Sequence, residues 1–430
     1  MMAAMLDLRF IRENTAAVRR AISDKQMPDA LEKLDQLLLV DEEHRLLKRD
    51  LEEKQAERNA NARLVGQLKR EGADAGELMA AMAALSDEGK RLEDRERSLQ
   101  TQLDALLLEV PNLPHASVPY GESEHDNVVA KEWGAKPTFA FEPRPHWELM
   151  TARGWVDFEV GVKVTGAGFP VFKGTGSRLV RAMRNYFLAR LAGAGYRGAV
   201  PPLMVNAASA TATGQLPDKE GQMYEVTDGF FLIPTSEVPV TNVHRDEILA
   251  VEELPIKYTA FTPCFRREAG SHGKDVRALN PVHPFDKVEM VQFCAPERSY
   301  EALEEMTRIA EGFLEELGLA YRRLLMCTGD LGFTQAKKYD LEVWSPGQAR
   351  WLEVSSVSNM EAFQASRLRT RARPGGVTGK GKTEPVHTLN GSALAFPRTI
   401  AALVETYQDA DGAVRVPEAL REYLGVARLE

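Results

Sequence analysis

Cysteine is scarce in this chain: three residues in 430, Cys264, Cys294 and Cys327, with no CxxC pair among them. That excludes a disulfide framework and leaves no structural zinc to expect; inert buried thiols fit the spacing. Long apolar runs are missing as well. Nothing approaches the roughly 20 apolar residues of a membrane helix, so no membrane association is expected. The opening text, MMAAMLDLRFIREN, reaches charge before a signal-peptide core could form. It also lacks the Arg/Ser-rich, acid-poor character of a transit peptide, and a cytoplasmic location is the expectation. A surplus of positive charge is absent, the formal net charge being −9. Any nucleic acid would therefore be met by a local basic face rather than by the whole surface. A strand-linked GxGxxG does not occur, and no glycine-rich nucleotide cradle is expected. A nucleotide would have to be held by side chains, with arginine the best match to paired phosphate oxygens.

Proline is missing from Leu31 to Val110, where glycine is also sparse. Such a stretch suits long helices. Leu78, Leu85, Leu92, Leu99 and Leu106 recur every seven residues, with Met82 and Leu103 at the alternate position. A second seam runs through Leu37, Val40, Leu47, Leu51, Val65 and Leu68, interrupted by His44, Lys54, Arg58 and Asn61. Between the seams, REGADAGE at 70–77 reads as a turn, so two antiparallel helices are predicted, the first from about Leu31 to Lys69. An oligomerising coiled coil fits the same pattern. Residues 41–70 hold eight Lys/Arg and seven Asp/Glu, a nearly neutral balance that still offers Arg45, Lys48, Arg49, Arg58 and Arg63 to a phosphate backbone. Prolines at 111, 114 and 119 end the helical region, which places a boundary between residues 1–110 and 111–430. Beyond it, strand-like text such as YTAFTPCF, VEMVQFC and YDLEVWSP alternates with helical text such as SYEALEEMTRIAEGFLEELG. An α+β domain with a mainly antiparallel sheet flanked by helices is predicted.

Four stretches carry chemistry. In FRREAGSHGKDVRALNPVHPFDKVE, residues 265–289, Arg266 and Glu268 are two apart after a strand, and Phe285 and Glu289 are four apart on the returning one. Alternation puts each pair on one face of a hairpin. That face offers a cation for phosphate, a ring for a base, and carboxylates for amine donors; cross-strand salt bridges in an ordinary hairpin would look the same. LIPTSEV sets Thr235 and Glu237 on one strand face, a grip for an ammonium group. WLEVSSVSN sets Glu353 and Ser355 on one face with Ser356 beside them, oxygen ligands of the kind Mg²⁺ accepts alongside phosphates. In HTLNGSALAFPRTIAALVETYQ, a helix beginning near Pro397 puts Arg398 in its first turn, where an anion is favoured.

Taken in this order, the motifs resemble those of the class II aminoacyl-tRNA synthetases, and within them the bacterial-type seryl-tRNA synthetases, over essentially the whole chain. GYRGAVPPLMVN is similar to motif 1, FRREAGSHG with its later F and VE to motif 2, and NGSALAFPR to motif 3. LDLRFIREN and the paired helices are similar to the tRNA-binding arm, a coiled coil. The resemblance implies an ATP-dependent ligase that forms seryl-adenylate and then charges tRNA(Ser), with tRNA(Sec) open as a second acceptor. It implies that Arg266 holds the α-phosphate and the serine carboxylate, and that Arg267 and Glu268 assist with ATP. Phe285 would stack on adenine, the Val282 backbone would read its edge, and Arg398 would take its other face and the γ-phosphate. Glu353 and Ser356 would ligate Mg²⁺, with Val354 and Ser355 completing that ATP-binding strand. Thr235, Ser236, Glu237, Glu289, Asn390 and Ser392 would enclose serine. A homodimer is implied through motif 1. Pro281, Pro284 and Ser366 depart from the family's arginine, glutamine and arginine, which keeps open a specialised or catalytically weakened paralogue: inhibitor-resistant, biosynthetic, or a tRNA-binding regulator. Pro284 also implies an edge, irregular or kinked return strand.

Overall fold

The helices predicted where proline is missing are present, and they run longer than the sequence pattern suggests. The computed structural model describes residues 8–268, 279 and 282–430. Two compact units divide the chain, Leu6–Pro111 and a larger one from Asn112 to Glu430. The first holds two short helices, α1 (Leu8–Glu13) and α2 (Thr15–Asp24), and two long ones, α3 (Pro28–Glu71) and α4 (Gly76–Leu107). Pro28 occupies the first helical turn, where its missing N–H costs nothing, so α3 begins three residues before the predicted start. Its 44 residues span about 66 Å. Gly72, at φ +71, closes α3 in the left-handed conformation that glycine adopts without strain. Asp74 then accepts from the Gly76 N–H at 2.8 Å to start α4.

Two of the polar interruptions of the seam, His44 and Lys54, have partners on α4. His44 Nε2 lies 3.0 Å from Glu96, and Lys54 Nζ lies 3.5 Å from Glu88. Rising numbers on α3 meet falling numbers on α4, so these polar contacts fix an antiparallel register that leucines alone would leave free to slip. Arg58 stays exposed, while Leu34, Leu37, Leu99 and Leu103 are fully buried.

In the larger unit the chain forms, in order, β1 (Val128–Trp133), α5 (Gly174–Gly193), β2 (Arg197–Ala199), β3 (Ile256–Phe265), β4 (Pro284–Cys294), α6 (Ser299–Glu316), β5 (Tyr321–Leu325), β6 (Lys337–Ser345), β7 (Arg350–Glu361), β8 (His387–Ala395) and α7 (Phe396–Thr406). The strands make one eight-stranded sheet in the order β1-β5-β6-β7-β8-β4-β3-β2. Every pairing is antiparallel except the short edge pair β2–β3. Alternation sends Val288, Met290, Leu389, Val357 and Leu341 to one face, where they join Phe187 of α5, Met306 and Phe313 of α6 and Ile400 and Leu403 of α7 in the main core. The opposite face carries Lys287, Glu289, Asn390 and Ser392, and beyond them a smaller core around Val291, Phe293, Ala260 and Val240. Return strand β4 is an internal strand, so of the edge, irregular and kinked alternatives its prolines suggest the edge fails, while its pairing with β8 is irregular, shifting register between Lys287 and Glu289. Pro284 is tolerated because it is the first residue of β4, ahead of the pairing with β8 that begins at Lys287. Pro281 lies outside the described residues, as do 269–278 of the same motif.

Candidate active site

Phe285, Lys287 and Glu289 alternate along the polar face of β4. Register places Ser392 of β8 opposite Glu289 and Asn390 opposite Val291, so both side chains share that face. Beside them the chain turns through Thr235 and Ser236 into a short helix, Glu237–Thr241. Thr235 and Glu237 are therefore not on one strand face as the spacing predicts. The strand ends at Leu232 before Pro234, which has no N–H for a ladder. The turn nevertheless brings the two residues to the same place. Lys287 Nζ donates to Thr235 Oγ1 at 2.8 Å, and Lys287 is ion-paired with Glu289. Gln364 Nε2 donates to Glu237 Oε1 at 2.6 Å, and Gln364 is held in turn by the Thr388 hydroxyl at 2.8 Å.

Burial, the neighbouring Glu289 charge and the limited relief from Gln364 and Lys287 push the Glu237 carboxyl up to about 7. The Asn390 amide nitrogen is buried without a partner among the described residues. An unpaired buried donor costs about 1–3 kcal/mol, and a ligand oxygen would recover it. Ser236 plays a different part from the one expected of it. Its fully buried hydroxyl is engaged with Thr262 at 2.7 Å, which braces the turn against β3.

Arg266 and Glu268 do not alternate on a strand either, because β3 ends at Phe265 and Glu268 adopts a left-handed φ of +48. The Arg266 backbone N–H donates to His283 O at 2.9 Å, adding one rung beyond the strand. Its guanidinium lies 5.2 Å from the Phe285 ring centre, and Nε donates to Pro234 O at 3.3 Å. The cation thus stands between the ring and the Thr235 turn. Val282 is buried just ahead of this rung. Arg267 lines an adjoining cavity of about 460 Å³ with Tyr224, Glu225 and Phe231.

Further along the polar face, a β-bulge at Val354 changes the predicted alternation. Leu341 pairs with Ser355, but the next residue, Glu342, pairs with Glu353, so Val354 is the extra residue. Val354 and Ser355 consequently turn inward: Val354 enters the core, and Ser355 Oγ donates to Ser392 O at 2.6 Å. Glu353 and Ser356 come together instead, 3.3 Å apart. Ser356 Oγ also donates to Asp340 at 2.5 Å, and Lys338 lies 3.2 Å from that carboxylate. Burial drives the Asp340 carboxyl up to about 6. Arg398, in the first turn of α7, donates to Glu353 O at 3.0 Å and lies 3.6 Å from its carboxylate. Two oxygen donors of different type beside an arginine suit a hard cation that keeps phosphate oxygens as its other ligands.

Most expected residues therefore meet on one sheet face. Lys287 and Gln364 are additions. Lys287 was legible as the residue between Phe285 and Glu289 on the same strand face; nothing local marks Gln364. One stretch runs against the expectation of no glycine-rich cradle: GVTGKGKT, 376–383, has the spacing of a phosphate-binding loop. It begins with a 3-10 turn, Gly376–Thr378, and leads into a two-residue strand, Glu384–Pro385, so it lacks the following helix whose N-terminus such a loop needs.

Residues 5–114 match the model of the seryl-tRNA synthetase N-terminal domain, and residues 223–407 that of the tRNA synthetase class II core domain (G, H, P, S and T). A serine--tRNA ligase of Salinibacter ruber is 50% identical over 430 residues, covering 99% of each chain. The crystal structure of seryl-tRNA synthetase from Pyrococcus horikoshii complexed with ATP is similar at 34% identity and a TM-score of 0.94, covering 99% of both chains. That of the cytoplasmic serine-tRNA ligase from Naegleria fowleri in complex with AMP is similar at 26% identity and a TM-score of 0.89, covering 99% of this chain and 98% of that one.

Proposed function

The chain belongs to the seryl-tRNA synthetases of class II, and from that premise we propose how its residues divide the work. The protein is a serine--tRNA ligase: it activates L-serine with ATP and transfers the seryl group to tRNA(Ser). No observation favours a weakened or specialised paralogue.

Serine's ammonium group enters between Glu237 and Glu289, with Thr235 beside it and Lys287 holding the local charge in balance. Its hydroxyl meets Asn390 and Ser392. The unpartnered Asn390 amide is the observation that carries this reading, because it supplies a buried donor that a serine oxygen satisfies and alanine leaves stranded. Serine's carboxylate lies at Arg266. Adenine stacks on Phe285, its edge meets the Val282 backbone, and Arg398 covers its other face and the γ-phosphate. Arg267 and Glu268 flank the phosphates.

The carboxylate oxygen attacks the α-phosphorus. A new P–O bond forms as the bond to the bridging oxygen breaks, and pyrophosphate leaves with the electron pair. The 3′-hydroxyl of tRNA then attacks the seryl carbonyl, AMP departs, and the hydroxyl proton is lost to solvent or phosphate. No protein nucleophile is required, so the residues act by alignment and by neutralising charge on phosphate. Glu353 and Ser356 would hold Mg²⁺, which when bound supplies further positive charge to the phosphates. Ser236, Val354 and Ser355 support this wall from behind.

The arm of α3 and α4 carries the tRNA contact, through Arg45, Lys48, Arg49, Arg58 and Arg63 of α3. We further propose a homodimer closed beside edge strand β2, where the residues that follow it, Val200, Leu203 and Met204, are 97%, 40% and 50% exposed. Among the described residues no helix is long and apolar enough to cross a membrane, and we place the enzyme in the cytoplasm.

Arg266→Ala tests the core of the reading. Serine-dependent pyrophosphate exchange should fall by roughly a thousandfold in kcat/KM, the scale of losing a charge stabiliser of the transition state. Exchange within about tenfold of wild type would place the reacting groups elsewhere.

A further inference from the structure

His146 and Glu405 form a fully buried pair that none of the roles above uses. Glu405 lies on α7, two turns after Arg398. Its carboxylate accepts from the His146 backbone N–H at 2.9 Å, from His146 Nδ1 at 2.8 Å, from the Gly347 N–H at 3.0 Å and from the Ser345 hydroxyl. The other ring nitrogen, Nε2, accepts from the backbone N–H of Leu279 at 3.0 Å. Since Nε2 must accept there, the imidazole is neutral, with its proton on Nδ1 where the carboxylate needs a donor.

This chain of contacts joins two parts of one binding site. Glu405 is fixed to the helix that presents Arg398. Leu279, itself fully buried, stands three residues before Val282 and six before Phe285. We propose that His146 is a positioning residue of the ATP site, tying Leu279, ahead of the return strand, to α7 so that Phe285 and the Val282 backbone face Arg398 at the separation an adenine ring requires. His146 touches no substrate. The inference rests on the assignment of adenine to Phe285 and Arg398.

Two side chains separate this role from plain structural support. In His146→Gln an oxygen can stand near the place of Nε2 and keep an acceptor for Leu279; the ring's contact with Glu405 is lost, but the residue's backbone N–H still donates to Glu405 and keeps the tie to α7. In His146→Asn a donor can stay near Nδ1 for Glu405, whereas the Leu279 contact is lost.

The experiment measures the KM for ATP and for serine in pyrophosphate exchange, and the melting temperature, for full-length wild type, Phe285→Ala, His146→Asn and His146→Gln. His146→Asn should raise the ATP KM roughly tenfold, the equivalent of one lost hydrogen bond, with the serine KM within about twofold. His146→Gln should keep the ATP KM within about threefold of wild type even where its melting temperature falls. The proposal is overturned if His146→Asn leaves the ATP KM unchanged while Phe285→Ala raises it, if His146→Gln raises it as far as His146→Asn, or if the KM values for serine and ATP rise together. An unchanged ATP KM in Phe285→Ala would instead remove the adenine assignment, and the inference with it.

Discussion

Glu237 carries a charge state that binding must change. Its carboxyl is pushed up to about 7, so below that pH the empty pocket holds it protonated. An ammonium group favours the ionised form, so serine binding at lower pH must first expel that proton. The serine KM should therefore rise as pH falls below about 7, by up to roughly tenfold per unit, and the rise should disappear in Glu237→Gln. A serine KM profile from pH 5.5 to 8.5 checks this, and a flat wild-type profile would contradict it. Lys287 has the opposite task. Its removal leaves Glu289 buried without its counter-ion and takes the donor from Thr235. Lys287→Met should cost about 3–5 kcal/mol of stability in urea unfolding, because breaking a buried pair strands the remaining charge. At this scale the sequence was informative about residue type. Arg266, Phe285 and Glu289 of the hairpin are the residue types found around the Thr235 turn, but Gln364, whose hydrogen bond partly offsets the burial and the Glu289 charge that raise the Glu237 carboxyl, is distant in sequence and unmarked by any local pattern.

At the scale of the element, regular periods were legible and irregular backbone was not. The heptads over Leu78–Leu106 predict a paired helix, and the pairing is found, because a seven-residue repeat has no other way to bury its leucines. Strict alternation misplaces Ser355 and Ser356. One extra residue at Val354 exchanges their faces, and a bulge leaves no mark in a run such as EVSSVSN. The TSE text alternates like a strand but forms a turn for a related reason: the turn is set by Pro234 and by the lock between Ser236 and Thr262, a contact across 26 residues. The arm makes a prediction of its own. Deleting residues 31–110 should abolish tRNA charging while leaving serine-dependent pyrophosphate exchange within about threefold of wild type, since no proposed site residue lies there and only uniform binding is lost. Equal charging by the shortened protein would remove tRNA recognition from α3 and α4.

For the whole molecule, the sheet gives one face to the main core and the other to the proposed substrate pocket and a smaller core, and Val200, Leu203 and Met204, just after edge strand β2, are the exposed apolar residues on which the proposed dimer rests. Met204→Asp together with Val200→Asp should shift sedimentation from dimer toward monomer, because burying two carboxylates without partners costs several kcal/mol. The central claim is that a pocket of Glu237, Glu289, Asn390 and Ser392 beside Arg266 selects serine for adenylation. The most direct test is pyrophosphate exchange with each amino acid in turn, at equal concentration and with ATP and Mg²⁺ in excess. The account predicts exchange with serine, with alanine roughly a thousandfold slower or worse because it strands the buried donors. Exchange led by another amino acid, or none with any, would contradict it.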